Sequence, residues 1–90
     1  MDGATRIANE RRRQVEEEGY TAEDDRKQGL ALVYAGIAYA IAAINPEGPS
    51  YAAGDWWPWG TGAWKPTGDV KRDLTKAGAL IAAAIDALPD

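Results

Sequence analysis

The chain has no cysteine, no histidine and no phenylalanine, and its one methionine is Met1. Without cysteine there is no disulfide, no thiolate nucleophile and no thiolate zinc site. Without histidine the commonest general base and metal ligand are missing as well. Ser50 and the threonines therefore lack an imidazole to activate them, which argues against nucleophilic catalysis; no residue is assigned a catalytic role and no cofactor is called for. Basic residues are outnumbered, ten Lys and Arg against fourteen Asp and Glu. A net charge of −4 argues against general nucleic-acid binding and is too mild for a mimic of DNA. The longest uncharged run, Gln28 to Pro46, is dominated by Ala and Gly and interrupted by Gln28, Asn45 and two tyrosines, so it reads as a core helix and not as a membrane span. The polar N-terminal stretch MDGATRIANERRRQ lacks the pattern of a secretory signal, and the expectation is a cytoplasmic protein. Ninety residues suffice for one domain that buries only about 60–65% of its unfolded surface, and a homodimer would bury more.

What the chain does have is a concentration of indoles. All four tryptophans, Trp56, Trp57, Trp59 and Trp64, fall within Asp55–Pro66. Pro58 and Pro66 remove backbone donors there, and Gly60 and Gly62 favour turns, so the stretch is a loop. Five glycines and four prolines occupy residues 45–68, and a loop of that length in a small domain is uncommon. Four exposed tryptophans would promote aggregation, so the loop is expected to fold back on the helices around it.

Three helices are expected. The first, about 4–18, carries sparse apolar residues (Ala4, Ile7, Ala8, Val15) and Arg11–Arg13 ahead of Glu16–Glu18, a solvated helix touching the core on a narrow stripe. The second, about 22–44, starts at a capping box of Thr21 and Asp24. It repeats Leu30, Val33, Tyr34, Ile37, Ile41 and Ile44 at helical spacing, with alanines on the other side, and should be the surrounded, central helix. The third, about 70–88, is capped by Asp69 and shows a stripe of Val70, Leu74, Ala77, Ile81, Ala84, Ile85 and Leu88. The fold class is all-α: a small three-helix domain, 1–90, with a long Trp/Pro/Gly-rich loop at 45–68 packed on the bundle.

Three kinds of chemistry fit these residues. Trp56, Trp57, Trp59 and Trp64 can line a pocket for a flat ring, with Lys65, Arg72 and Lys76 beside them for phosphate and the backbone of Gly60–Gly62 as further donors. The plainer reading of the same residues is a hydrophobic plug, with Lys65 and Arg72 neutralised by Asp24 or Asp25. An all-helical Mg-dependent nucleotide pyrophosphohydrolase needs two acidic pairs on facing helices, and this chain offers only Asp69 with Asp73, then Asp86, so no metal ligands are assigned. Finally, Trp and Arg dominate protein interfaces, so the loop can also dock on a partner.

Glu18-Gly-Tyr-Thr-Ala-Glu-Asp-Asp25, Trp64-Lys-Pro66 and Arg72-Asp-Leu-Thr-Lys-Ala-Gly-Ala-Leu-Ile81 occur in that order. In these three motifs the chain resembles a family of small phage and prophage proteins of uncharacterised activity, over nearly its whole length. The first motif also resembles, faintly, the ryanodine-receptor-type repeat. The chain departs from the phage pattern at Gly60-Thr61-Gly62-Ala63, where that pattern has more polar residues. The resemblance implies a phage-encoded accessory protein working in the host cytoplasm, of a kind that counters host defence. Joined to the residues, it leads to a non-catalytic binder of a small nucleotide-like ligand. Tyr20 and the tryptophans would then stack on its ring, Lys65, Arg72 and Lys76 would meet phosphate, and Asp24 or Asp25 would take ribose hydroxyls. The alternative is an inhibitor that binds a host defence protein through the tryptophan loop.

Overall fold

A computed structural model describes residues 1–18, 29–45 and 53–88. Tyr20, Asp24, Asp25, the capping box and most of the first motif lie outside the described residues. The described parts form an all-α domain of three helices: α1 (Gly3–Glu18), α2 (Gly29–Ile44) and α3 (Val70–Ala87). A single 3-10 turn at Thr61–Ala63 interrupts the tryptophan segment. Among the described residues no helix is long and apolar enough to cross a membrane.

The central helix is α3, not α2. It packs against both α1 and α2, and among the described residues α1 and α2 make no contact with each other. The cause is the distribution of small residues. Where α2 meets α3, the buried side chains are Leu32, Ala35, Tyr39 and Ala43 on one helix and Ala77, Leu80, Ala83 and Ala84 on the other. A Cβ on Gly36 would come within 3.2 Å of the Ala77 carbonyl oxygen and 2.7 Å of Ile81 Cγ1, so the two backbones approach as only glycine and alanine allow. This alanine contact displaces the bulkier stripes outward. Leu30, Tyr34 and Ile44 on α2 are exposed, as are Val70, Leu74, Ile81, Ile85 and Leu88 on α3. Only Ala77 and Ala84 of the stripe expected in the core are buried.

Helix α1 docks through polar residues. Glu10 and Gln14 are its buried side chains, whereas Val15 is exposed and Ile7 half-buried. Gly78 of α3 admits Ile7, whose Cδ1 lies 2.6 Å from where a Cβ would be. The start of α3 is fixed by two acids. Asp69 accepts from the Arg72 N–H at 3.1 Å as N-cap. Asp73, 1% exposed, accepts from Thr67 N–H at 3.0 Å, Thr67 Oγ1 at 2.9 Å and Gly68 N–H at 3.3 Å. Gly68 has φ of 81°, a left-handed conformation that a side chain would resist, and this aims its N–H at Asp73. The tryptophan segment is thereby pinned to α3 at its exit.

Candidate functional site

Tyr39 of α2 organises the tryptophan segment. Trp64 lies 4.8 Å from its ring centre and Trp57 5.6 Å, edge-on. Trp57 in turn touches Trp59 at 5.1 Å and Trp64 at 5.2 Å, and its indole N–H donates to the Gly60 carbonyl at 3.1 Å. The Tyr39 hydroxyl accepts the Lys65 N–H at 3.2 Å, which locks the segment from behind. Trp57, Trp59 and Trp64 all pack on the core formed by α2 and α3. Three of the four indoles are therefore half-buried against the core, in edge-on and tilted contacts with one another, and Trp57 and Trp64 also with Tyr39. Trp56 is the exception: 43% exposed, it stacks at 6.0 Å on the exposed Tyr34.

The cations divide into two groups about one buried acid that the sequence patterns did not single out. Glu10 is 2% exposed. It accepts from Arg13 Nε at 2.9 Å and Arg13 Nη2 at 2.8 Å, from Gln14 Nε2 at 3.4 Å, and pairs with Arg72 Nη1 at 2.8 Å. Burial by itself would raise the Glu10 pKa, but the Arg13 hydrogen bonds and the charges of Arg72 and Arg13 outweigh it and hold the carboxyl below its ordinary range. A signal for Glu10 existed: Ile7, Glu10 and Gln14 share a helical face, and Arg13 follows Glu10 by three.

On one side of Glu10, Lys65 and Lys76 line a cavity with Trp57, Tyr39, Arg13 and Gln14. Its volume is about 50 Å³, far below a nucleotide. Lys76 Nζ lies 5.5 Å from the Tyr39 ring centre. Burial, and then the charge of Arg72, lower its pKa, against the opposing pull of Glu10. Arg72 is not in the lining of that cavity. It opens on a groove of about 350 Å³ between α1 and α3, with Arg6, Arg13, Lys71, Glu10 and Asp69 in the wall. A second depression of about 470 Å³ shares Met1, Arg6, Lys71 and Thr75 with it and is walled by Ile7, Val70 and Leu74. Together they form one surface, basic at one end and apolar at the other.

The structure thus brings Trp57, Lys65 and Lys76 together, sets Arg72 across Glu10 from them, and leaves Trp56 apart. Among the described residues no group of three or more acids is placed to hold a metal ion. Comparison with protein-family models, with curated proteins and with solved structures gives no match.

Proposed function

We propose that this protein is a non-catalytic docking domain that takes an acidic, apolar-bearing segment of a protein partner into the surface between α1 and α3. The observation that carries this is the charge of that surface: Arg6, Arg13, Lys71 and Arg72 converge on it against Glu10 and Asp69, on a chain whose net charge is −4. Local excess of one sign attracts a segment of the other and steers its approach. The adjoining wall of Ile7, Val70 and Leu74 supplies the apolar area that fixes orientation and slows release. The indoles brace the bundle in this account, and only Trp56 remains to extend a contact. In the setting that the resemblance to phage proteins implies, the partner is a host protein such as a component of a defence complex.

A nucleotide-like ligand is the second reading. One observation favours it: Glu10 holds the guanidinium groups of Arg13 and Arg72 side by side at the groove, a ready arrangement for phosphate. Against it, Trp57 and Trp64 already pack edge-on and tilted against Tyr39, and the cavity beside Trp57 is only about 50 Å³. Two titrations decide. Fluorescence anisotropy with an acidic peptide of about a dozen residues bearing leucines is expected to give micromolar binding that weakens with salt. Thermal melts with a panel of nucleotides at about 1 mM are expected to shift little, whereas a ligand at 100 times its Kd would stabilise by about 2.7 kcal/mol. A marked nucleotide shift with no peptide binding overturns the docking reading in favour of the second.

A further inference from the structure

The basic-to-apolar surface has a counterpart on the same chain. The far end of α3 presents Ile85, 66% exposed, and Leu88, 57% exposed, with the solvent-exposed carboxylate of Asp86 on the adjoining face toward α1. Among the described residues Asp86 pairs with Arg11, at 3.8 Å, and its side chain remains 68% exposed. This end has the chemistry that the groove at the other end of α3 selects. Val70, Leu74, Ile81, Ile85 and Leu88 recur at three-, four- and seven-residue spacing and so lie along one side of the helix, all of them exposed.

We infer that a second copy of this chain occupies the surface, the two α3 helices lying antiparallel across a two-fold axis. Such a contact uses the same patch on both chains, so each feature must meet its complement under the rotation. It does. Lys71 and Asp86 stand eight and seven residues either side of Ala79, so an axis near Ala79 sets each Lys71 against the partner's acidic end. The same axis brings Val70 near the other copy's Leu88 and Leu74 near its Ile85, and opposes the helix dipoles. The eighteen residues of α3 extend about 27 Å, which with a helix width of about 12 Å gives roughly 300 Å² per chain in projection. Stable interfaces take about 800 Å² per partner, so this dimer is reversible, with a Kd of tens to hundreds of micromolar. This inference rests on the docking reading and adds self-occupancy: the dimer covers the surface that the partner needs.

Sedimentation velocity of the full chain from about 5 to 500 µM tests it. A concentration-dependent monomer–dimer equilibrium is expected. Ile85→Glu should raise the dimer Kd at least about tenfold, with Leu88→Ser weakening it less, and with melting unchanged because both side chains are exposed. Lys71→Glu and Asp86→Lys should each weaken the dimer several-fold, and the double variant should regain most of the loss, since the swap restores opposite charges across the axis. Acidic peptide added in excess should dissociate the dimer. A chain monomeric at every concentration overturns the inference, while peptide binding in the same samples leaves the docking reading standing. A dimer indifferent to Ile85→Glu and to the charge swap also overturns it. A dimer that responds to both but ignores the peptide supports the inference and removes the docking reading.

Discussion

Replacing Glu10 by Gln keeps the volume and removes the charge on which α1 and α3 are joined. In the native protein the guanidinium groups of Arg13 and Arg72 both lie 2.8 Å from its carboxylate. Without that charge the two cations lose their shared counter-ion, and like charges about 5 Å apart at an effective dielectric near 20 repel by about 3 kcal/mol. Removing one member of a buried ion cluster typically costs about 3–5 kcal/mol. Water reaches Arg72, whose side chain is 39% exposed, so the expected loss is lower, about 2–3 kcal/mol. For a domain of this size that corresponds to a fall in Tm of about 10–20 °C. The assay is a calorimetric or circular-dichroism melt at pH 7 and low salt. The carboxyl is held below its usual pKa of 4.5 in the fold, so its contribution is fully present above that value and is lost as pH falls through the folded pKa. Wild-type stability should therefore decline in acid more steeply than that of Glu10→Gln, and the two curves should converge. A variant melting within about 3 °C of wild type at pH 7 would refute the role given to Glu10.

Other substitutions probe the remaining joints. Gly36→Ala gains up to about 1 kcal/mol in helix propensity but drives a Cβ against Ile81 and the Ala77 carbonyl, a net loss of about 1 kcal/mol; a stabilised variant would contradict the close approach of α2 and α3. Asp73→Ala leaves the N–H groups of Thr67 and Gly68 without their acceptor and should cost about 2–4 kcal/mol in urea denaturation, against a few tenths for the exposed Asp86→Ala. Trp64→Ala should destabilise by about 2–4 kcal/mol, while Trp56→Ala should change the melt by less than about 1 kcal/mol; equal effects would undo the division between plug and exposed indole.

Helical periodicity marked the three helices because caps and breakers bound them: Asp69 is the N-cap of α3, and Asn45-Pro46 follows the end of α2 at Ile44. It misled on which faces are inside. The rule that large apolar side chains seek the core picks the stripe of Leu74, Ile81 and Ile85, yet Gly36, Ala77 and Ala84 allow a closer backbone contact that leaves that stripe outside. That the tryptophan segment packs on the helices was legible, since four indoles in one glycine- and proline-rich segment must fold onto something. Its anchor was not: Tyr39 is one of several tyrosines, and nothing local marks it as the residue that Trp57, Trp64 and the Lys65 N–H meet. Among the candidate site residues, Lys65 and Lys76 line one cavity with Trp57, whereas the pairing of Arg72 with Glu10, an acid sixty-two positions away in the chain, had no local mark.

Docking depends on the basic end of the surface between α1 and α3 attracting acidic chain, and reversing the charges of Arg6 and Lys71 addresses that most directly. Arg6 and Lys71 line the groove without taking part in the Glu10 pairing. The measurement is anisotropy of the labelled acidic peptide against wild type and Arg6→Glu/Lys71→Glu at low salt, with melts confirming that both are folded. Binding weakened at least about thirtyfold in the variant, and in wild type by added salt, is the predicted result. Equal affinity for the two proteins would contradict the account.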